Sequence, residues 1–297
     1  MTRNSNLGLA LATFGALVLG PDALLLRLSD MQGMQMLGWR GLCMGGLFLM
    51  IWLATSRNHR ADLAVLGSGV GMIVVISQSL NAMLFPNAIA LAPVSVVLLA
   101  IATVPVWSAL LARLIYGEST SRATWITILL VLSGIAIAVS GKGDLGLNPH
   151  AALGALLGLG VAAALATTFV TLRHAADVPI LLTVGLGALI AGIVGTTVTG
   201  PAQMTTGTLW PILLASIVIL PLSFFALSLA ARHTAAANVS LLMLLETVLG
   251  PVWVWYGTSE APTPRMLWGG LIVLVSLALY LNGLRRAAVL RRAQSIV

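Results

Sequence analysis

Charge is what this sequence has least of. Only 15 of its 297 residues are basic and 8 acidic, 8% together, where a soluble domain carries roughly 25%. So few charges cannot cover the surface of a soluble globule. Disorder is excluded as well, because it needs low hydrophobicity and high charge, and here 59% of residues are apolar with a mean hydropathy of +1.04. Alternating ten-residue segments are missing, which excludes an outer-membrane barrel. Cysteine is reduced to Cys43, so no intrachain disulfide can form. The four histidines, His59, His150, His174 and His233, are scattered and show no metal-ligand spacing. No metal or cofactor is expected. The one Gly-Lys pair, Gly141-Lys142, has Ala136 where a P-loop needs glycine and Gly143 where it needs Ser or Thr. An ATP-driven pump would therefore need a separate subunit.

What the chain does have is long stretches without charge. None of Asp, Glu, Lys or Arg occurs over 63–112, 123–141, 145–172, 178–231 or 266–284, and Glu246 alone interrupts the run after Arg232. A spanning helix needs about 20 apolar residues for a ~30 Å core. The pattern predicts an all-α polytopic membrane protein with ten spans: 7–26, 34–54, 63–83, 89–111, 122–140, 151–172, 179–199, 209–231, 236–256 and 266–284. A break near Pro86-Asn87 divides the first long run, and Gly200-Pro201 divides the second. The opening apolar stretch after Arg3 resembles a signal peptide, but no small-x-small cleavage site follows it, so it is read as a retained helix.

Basic residues orient the bundle. With an even span count, one side holds Arg3, Arg57, Arg60, Arg113, Arg122, Arg173, Arg232, Arg285, Arg286, Arg291 and Arg292; the other holds Arg27, Arg40, Lys142 and Arg265. Both termini are expected in the cytoplasm, and the net charge of +7 reads as topology and contact with anionic lipid, not nucleic-acid binding. The eight tryptophans fall near predicted span ends, as an interfacial belt does.

An internal repeat is the most informative feature. Ala92-Pro93-Val94-Ser95 followed by Val104-Pro105-Val106-Trp107 recurs as Ala237-Asn238-Val239-Ser240 followed by Gly250-Pro251-Val252-Trp253. Each copy then reaches a Gly and a Glu: Gly117-Glu118, and Gly257 with Glu260. The expected units are a five-helix repeat at 1–141, a periplasmic linker at 142–149, a second five-helix repeat at 150–285 and a basic cytoplasmic tail at 286–297. Repeats with an odd number of spans enter the membrane in opposite senses, the inverted-repeat construction of secondary transporters, with a site between the halves near the midplane.

Ten spans in two five-span halves, with Pro-Val-Trp and then Gly-Glu closing the fourth span, resemble the EamA-type proteins of the drug/metabolite transporter (DMT) superfamily. Pro105, Gly117 and Glu118 match the family's pattern in the first half, and Glu246 and Pro251 in the second. The second Gly-Glu is degraded to Gly257-Thr258-Ser259-Glu260, and Arg40 matches the family's arginine in span two. Within the family the chain looks most like the YddG-type exporters of aromatic and other amino acids. The resemblance implies ATP-independent export of small metabolites across a bacterial inner membrane. Exporters of cationic drugs or other metabolites of the same superfamily are the alternative. No His-Glu, Asp-Asp or Ser-His/Lys constellation lies inside the spans, so an enzyme is not expected.

Mid-membrane ionisable residues cost about 2.5–3.5 kcal/mol each on insertion scales, so each asks for a reason. Asp22 and Arg40 lie at matching depths and are expected to pair, as ion site or structural staple. Glu246 lies in the middle of span nine with no basic residue expected at its depth. It reads as a proton carrier, as a contact for a substrate amine, or as a protonated group bonded between helices. Ser95 and Thr103 on span four, Ser240 and Thr247 on span nine, and Gln78 and Asn81 on span three complete the expected substrate pathway. Glu246 is rotated by roughly 100° from the Ser240/Thr247 face. Pro93, Pro105 and Pro251 are expected hinges. Gly41/Gly45, Gly67/Gly71 and Gly154/Gly158 have the spacing of close helix packing. The partners implied are a small-molecule substrate, the lipid bilayer and protons.

Overall fold

The computed structural model describes residues 5–92, 94–139, 149–258 and 264–294. Among them there are helices and no strands. In chain order they are α1 (Ser5–Leu19), α2 (Asp22–Ser29), α3 (Gly33–Thr55), α4 (His59–Leu66), α5 (Gly69–Leu91), α6 (Val94–Ile101), α7 (Val104–Tyr116), α8 (Arg122–Val139), α9 (Pro149–His174), α10 (Ile180–Thr199), α11 (Pro201–Met204), α12 (Leu209–Leu214), α13 (Leu220–His233), α14 (Ala236–Met243), α15 (Leu245–Thr258) and α16 (Pro264–Gln294). A π turn at Ala215–Ile219 joins α12 to α13. Seven stretches are long and apolar enough to cross a membrane, and shorter apolar helices lie at Val104–Tyr116, Arg122–Gly134 and Leu267–Tyr280. The protein is an all-helical integral membrane protein.

Several helices break where one unbroken span was expected. Gly20-Pro21 separates α1 from α2; proline cannot donate, so the ladder is interrupted there. Ala102 and Thr103 separate α6 from α7, and Pro105 occupies the first turn of α7, where its missing donor costs nothing. Leu244 separates α14 from α15. The expected break at Pro86-Asn87 is absent: α5 runs through Pro86 to Leu91. The Ala82 carbonyl, four residues before Pro86, thereby loses its helical donor.

The expected third span, 63–83, is also displaced. Residues 59–66 form the separate helix α4, capped by Asn58, whose side chain accepts from the Ala61 N–H at 3.1 Å. Asp62 accepts from Trp52 Nε1 at 2.7 Å and Ser56 Oγ at 2.6 Å, which fixes α4 against the end of α3. Ser68 then caps a new start for α5. At the other end of the chain, α16 continues past 284 through Arg285, Arg286, Arg291 and Arg292 as one helix.

The bundle has two ends. Glu118, after α7, meets Arg173 and His174 at the end of α9. Arg232, in the last turn of α13, donates to the Val178 carbonyl. These contacts mark the end where α1 begins, the near end. Gln35 donates to the Gln203 carbonyl at 2.8 Å and the Thr206 carbonyl at 2.6 Å, and Trp39 Nε1 to the Met204 carbonyl at 2.8 Å, which mark the far end. Laterally, α3 packs on α10, α5 on α9, α8 on α16, α1 on α13 and α7 on α14.

The α3–α10 contact is built on glycine. A Cβ on Gly41 would overlap the backbone of Gly192, and one on Gly45 would lie 2.6 Å from the Leu189 nitrogen. Gly185 and Gly195 face Phe48 and Gly38 equally closely. In a bilayer, where apolar burial between helices gains little, such backbone contact supplies the packing.

Candidate functional site

The breaks in the helices converge on one cavity. It is lined from α1 and α2 by Leu19 and Asp22, from α3 by Arg40, from α5 by Gln78, Asn81 and Pro86, and from α15 by Glu246 and Thr247. It holds about 780 Å³ of atom-free space, its open mouth included. Its remaining wall is apolar, with Phe85, Leu98, Leu220, Phe224 and Met243 among the lining side chains. The α3 and α5 residues that line it lie toward the far ends of those helices, so the cavity occupies the middle and far half of the bundle.

Asp22 stands in the first turn of α2, a position opened by the Gly20-Pro21 break. Its two oxygens accept from Arg40 Nη1 at 2.8 Å and Nη2 at 2.9 Å, with side chains 2% and 11% exposed. The Arg40 guanidinium also lies 5.6 Å from the centre of the Phe85 ring, a cation–π distance.

Glu246 was expected to stand apart from basic residues. Instead it lines the same cavity as the Asp22–Arg40 pair and lies within electrostatic reach of both. No hydrogen bond to Glu246 occurs among the described residues. Gln78 is 2% exposed, and its Oε1 has no partner among the described residues. Asn81, one turn on, is buried beside it. The Ala82 carbonyl freed by Pro86 belongs to a residue of the same lining, where irregular backbone at membrane depth is tolerated.

Other residues expected in the pathway lie elsewhere. Ser240 is fully buried, its hydroxyl donating to the Ala236 carbonyl and sharing a 2.9 Å hydrogen bond with Ser108 Oγ. Thr103 sits in the α6–α7 break with its hydroxyl on the Ala100 carbonyl at 2.6 Å. Neither lines the cavity. The Leu244 break lies between Ser240 and Thr247, so the face the two would share on an unbroken helix is divided: Thr247 lines the cavity beside Glu246, and Ser240 does not. Pro93 and the Ser95 side chain lie outside the described residues. Pro251 falls inside α15, which runs on through it, so the break in this region precedes that proline by seven residues.

The near half is closed by polar links that the sequence did not single out as a group. Tyr280 on α16 donates to Asn238 Oδ1 at 2.6 Å and pairs with Thr124 Oγ1 at 2.8 Å. Ser77 on α5 pairs with Thr168 on α9 at 2.8 Å. Glu118 lies 3.3 Å from both Arg173 and His174, and the His174 ring stacks on Tyr116 at 3.8 Å. Gly117 ends α7 with φ of 66°, a left-handed cap glycine adopts without strain, and this turn presents Glu118 to α9.

Residues 6–140 match the EamA-like transporter family. The matched family is one of transporters. A solved crystal structure superposes with a TM-score of 0.77, covering 94% of this chain and 98% of the other at 16% identity. At that identity the likeness is one of fold, and it extends beyond residues 6–140 to nearly the whole chain. No curated protein matches the sequence.

Proposed function

We propose that the chain is a secondary transporter that exports small amphipathic metabolites, with amino acids the first class to test. It works by alternating access across a bacterial inner membrane, both termini in the cytoplasm. The observation that carries this reading is the mixed ancestry of the cavity. Asp22, Arg40, Gln78 and Asn81 come from the half at 1–141, and Glu246 and Thr247 from the half at 150–285. A site between two halves is where a rocking pair of repeats binds its cargo.

The helix pairing supports two inverted five-helix repeats. Under a shift of about 145 residues, α3 becomes α10, α8 becomes α16, α6 becomes α14 and α7 becomes α15. The α3 and α8 helices pack on their own counterparts, and the α6–α7 span meets the α14–α15 span through α7 and α14. The same shift carries α1 to α9 and α5 to α13, so the α1–α13 and α5–α9 contacts exchange. A two-fold axis between the halves produces this pattern. With the near end closed by its polar links and the cavity toward the far end, the structure reads as the outward-facing member of the cycle. Glu246 is the proposed proton carrier, since it is the one acid of the cavity without a basic hydrogen-bond partner.

Counterflow in proteoliposomes tests the reading. Liposomes preloaded with an unlabelled amino acid should accumulate the labelled one, and protein-free liposomes should not. Accumulation of no amino acid, together with accumulation of a cationic dye, would replace the amino-acid class with the drug class.

A further inference from the structure

Among the described lining residues Arg40 is the one cation, and its guanidinium is only partly used. The group carries five N–H donors in a rigid plane. Asp22 takes one from Nη1 at 2.8 Å and one from Nη2 at 2.9 Å, the end edge of that plane. The Nε–H and the second hydrogen on each Nη have no hydrogen-bond partner among the described residues. The plane itself is well held. Asp22 grips its end, the Phe85 ring centre lies 5.6 Å from it, and α3, which carries it, is fixed to α10 by the glycine seam. The Arg40 side chain is 11% exposed and that of Asp22 only 2%, so what the pair offers the cavity is guanidinium and not carboxylate.

On the reading of the cavity as a transport site for amino acids, we propose that Arg40 is its specificity-determining residue: the side edge, Nε–H with one Nη–H, receives the carboxylate of the cargo in a second two-point bond while Asp22 stays in place. Asp22 is a positioning residue that acts through Arg40 by fixing the rotation of the plane. One guanidinium serves two carboxylates because its donors form a planar fork with more than one edge. The second carboxylate adds no net charge when the same molecule carries an ammonium, so the loaded cavity keeps its charge balance and no carboxylate is buried unpaired. A cargo without a carboxylate leaves the donors of the side edge unmatched.

The test uses the full chain in detergent micelles and isothermal titration with phenylalanine and phenylalaninol, which share body and ammonium and differ in the carboxylate. Phenylalanine should bind at least about tenfold more tightly, the scale of one charge-assisted hydrogen bond. Arg40→Lys keeps the positive charge and a partner for Asp22 but has no planar edge, so the ratio should fall to about one; a preference set by net charge alone would survive. Asp22→Glu keeps the ion pair but shifts the plane, and the ratio should drop a few-fold, whereas a pair that only staples α2 to α3 would weaken both probes together and leave the ratio unchanged. Equal affinities for the unaltered protein, binding of neither probe, or an unchanged ratio in Arg40→Lys would each overturn the proposal, and the first two need no variant to fold. An unchanged ratio in Asp22→Glu would overturn the positioning role. The transport reading fails separately: a protein that binds phenylalanine in this way but shows no counterflow is a binder and not a carrier. Counterflow of phenylalanine and phenylalaninol alike removes this proposal alone.

Discussion

Asp22 and Arg40 meet through two parallel hydrogen bonds of 2.8 and 2.9 Å, one from a helix that begins at a proline break and one from the middle of an unbroken helix. The geometry is the fork-to-fork match that makes arginine the partner of choice for a buried carboxylate. Removing one member leaves the other charged and desolvated. Asp22→Asn and Arg40→Gln should each cost about 3 kcal/mol of stability. The double variant should cost less than the two added together, which a double-mutant cycle in thermal unfolding checks. Strict additivity would mean that the pair contributes nothing as a pair.

Gly41 and Gly192 share a seam with no room for a side chain. Gly41→Ala and Gly192→Ala should each destabilise by about 2 kcal/mol or more, as overpacking does. Gly46, on the same helix with nothing within 4 Å of a built Cβ, is the control. Gly46→Ala should be neutral or slightly stabilising, because alanine is the better helix former. Equal melting temperatures for Gly41→Ala and Gly46→Ala would contradict the seam.

Glu118 ties the end of α7 to the end of α9. It is partly exposed, so the tie is worth less than about 1 kcal/mol. If opening the near end breaks it, Glu118→Gln should raise the open population a few-fold. The readout is maleimide labelling of a cysteine at Ser108 in a Cys43→Ala background, which should quicken by that factor. An unchanged labelling rate would make the cluster a static staple.

Glu246→Gln separates proton coupling from binding. A carboxyl that carries the proton is needed for uphill transport under an imposed proton gradient, but not for counterflow. The variant should lose the first and keep the counterflow of a zwitterionic substrate within a few-fold. Full gradient-driven transport by the variant would remove Glu246 from the coupling step.

The expected sidedness is also open to measurement. Cytoplasmic reporters fused after Arg60, Arg173 and the C-terminus should be active. An active periplasmic reporter at the C-terminus would break the even span count and with it the inverted repeat.

How much could be read from the residues alone differs between the fold and the site. Charge-free runs announced membrane helices because each uncompensated charge at membrane depth is costly. Asp22 and Arg40 were legible as partners because both lie at countable distances from span ends. Glu246 was not legible as their neighbour. Counting along a helix gives depth but not azimuth, and the break at Leu244 turns the following residues by an amount no periodicity records. Pro86 was read as a terminator, yet α5 passes through it, since a proline beside a cavity removes a bond that the local structure can forgo. Ser240 was assigned to the pathway by its face, whereas its hydroxyl is consumed by Ser108 and Ala236. A hydroxyl carries no sign in the sequence of whether its partner is a neighbour or a substrate.

The seam of glycines between α3 and α10 sets a mechanical limit. Two backbones in direct contact have no side chains to slide over one another, and a small translation drives Cα into Cα. The pair behaves as a fulcrum. Compliance is left to the elements that are already interrupted: α1–α2 at Gly20-Pro21, α6–α7 at Ala102-Thr103, the π turn before α13, and α14–α15 at Leu244. Each of these carries or adjoins residues of the cavity wall, so the parts of the protein free to bend are the parts that touch what it carries.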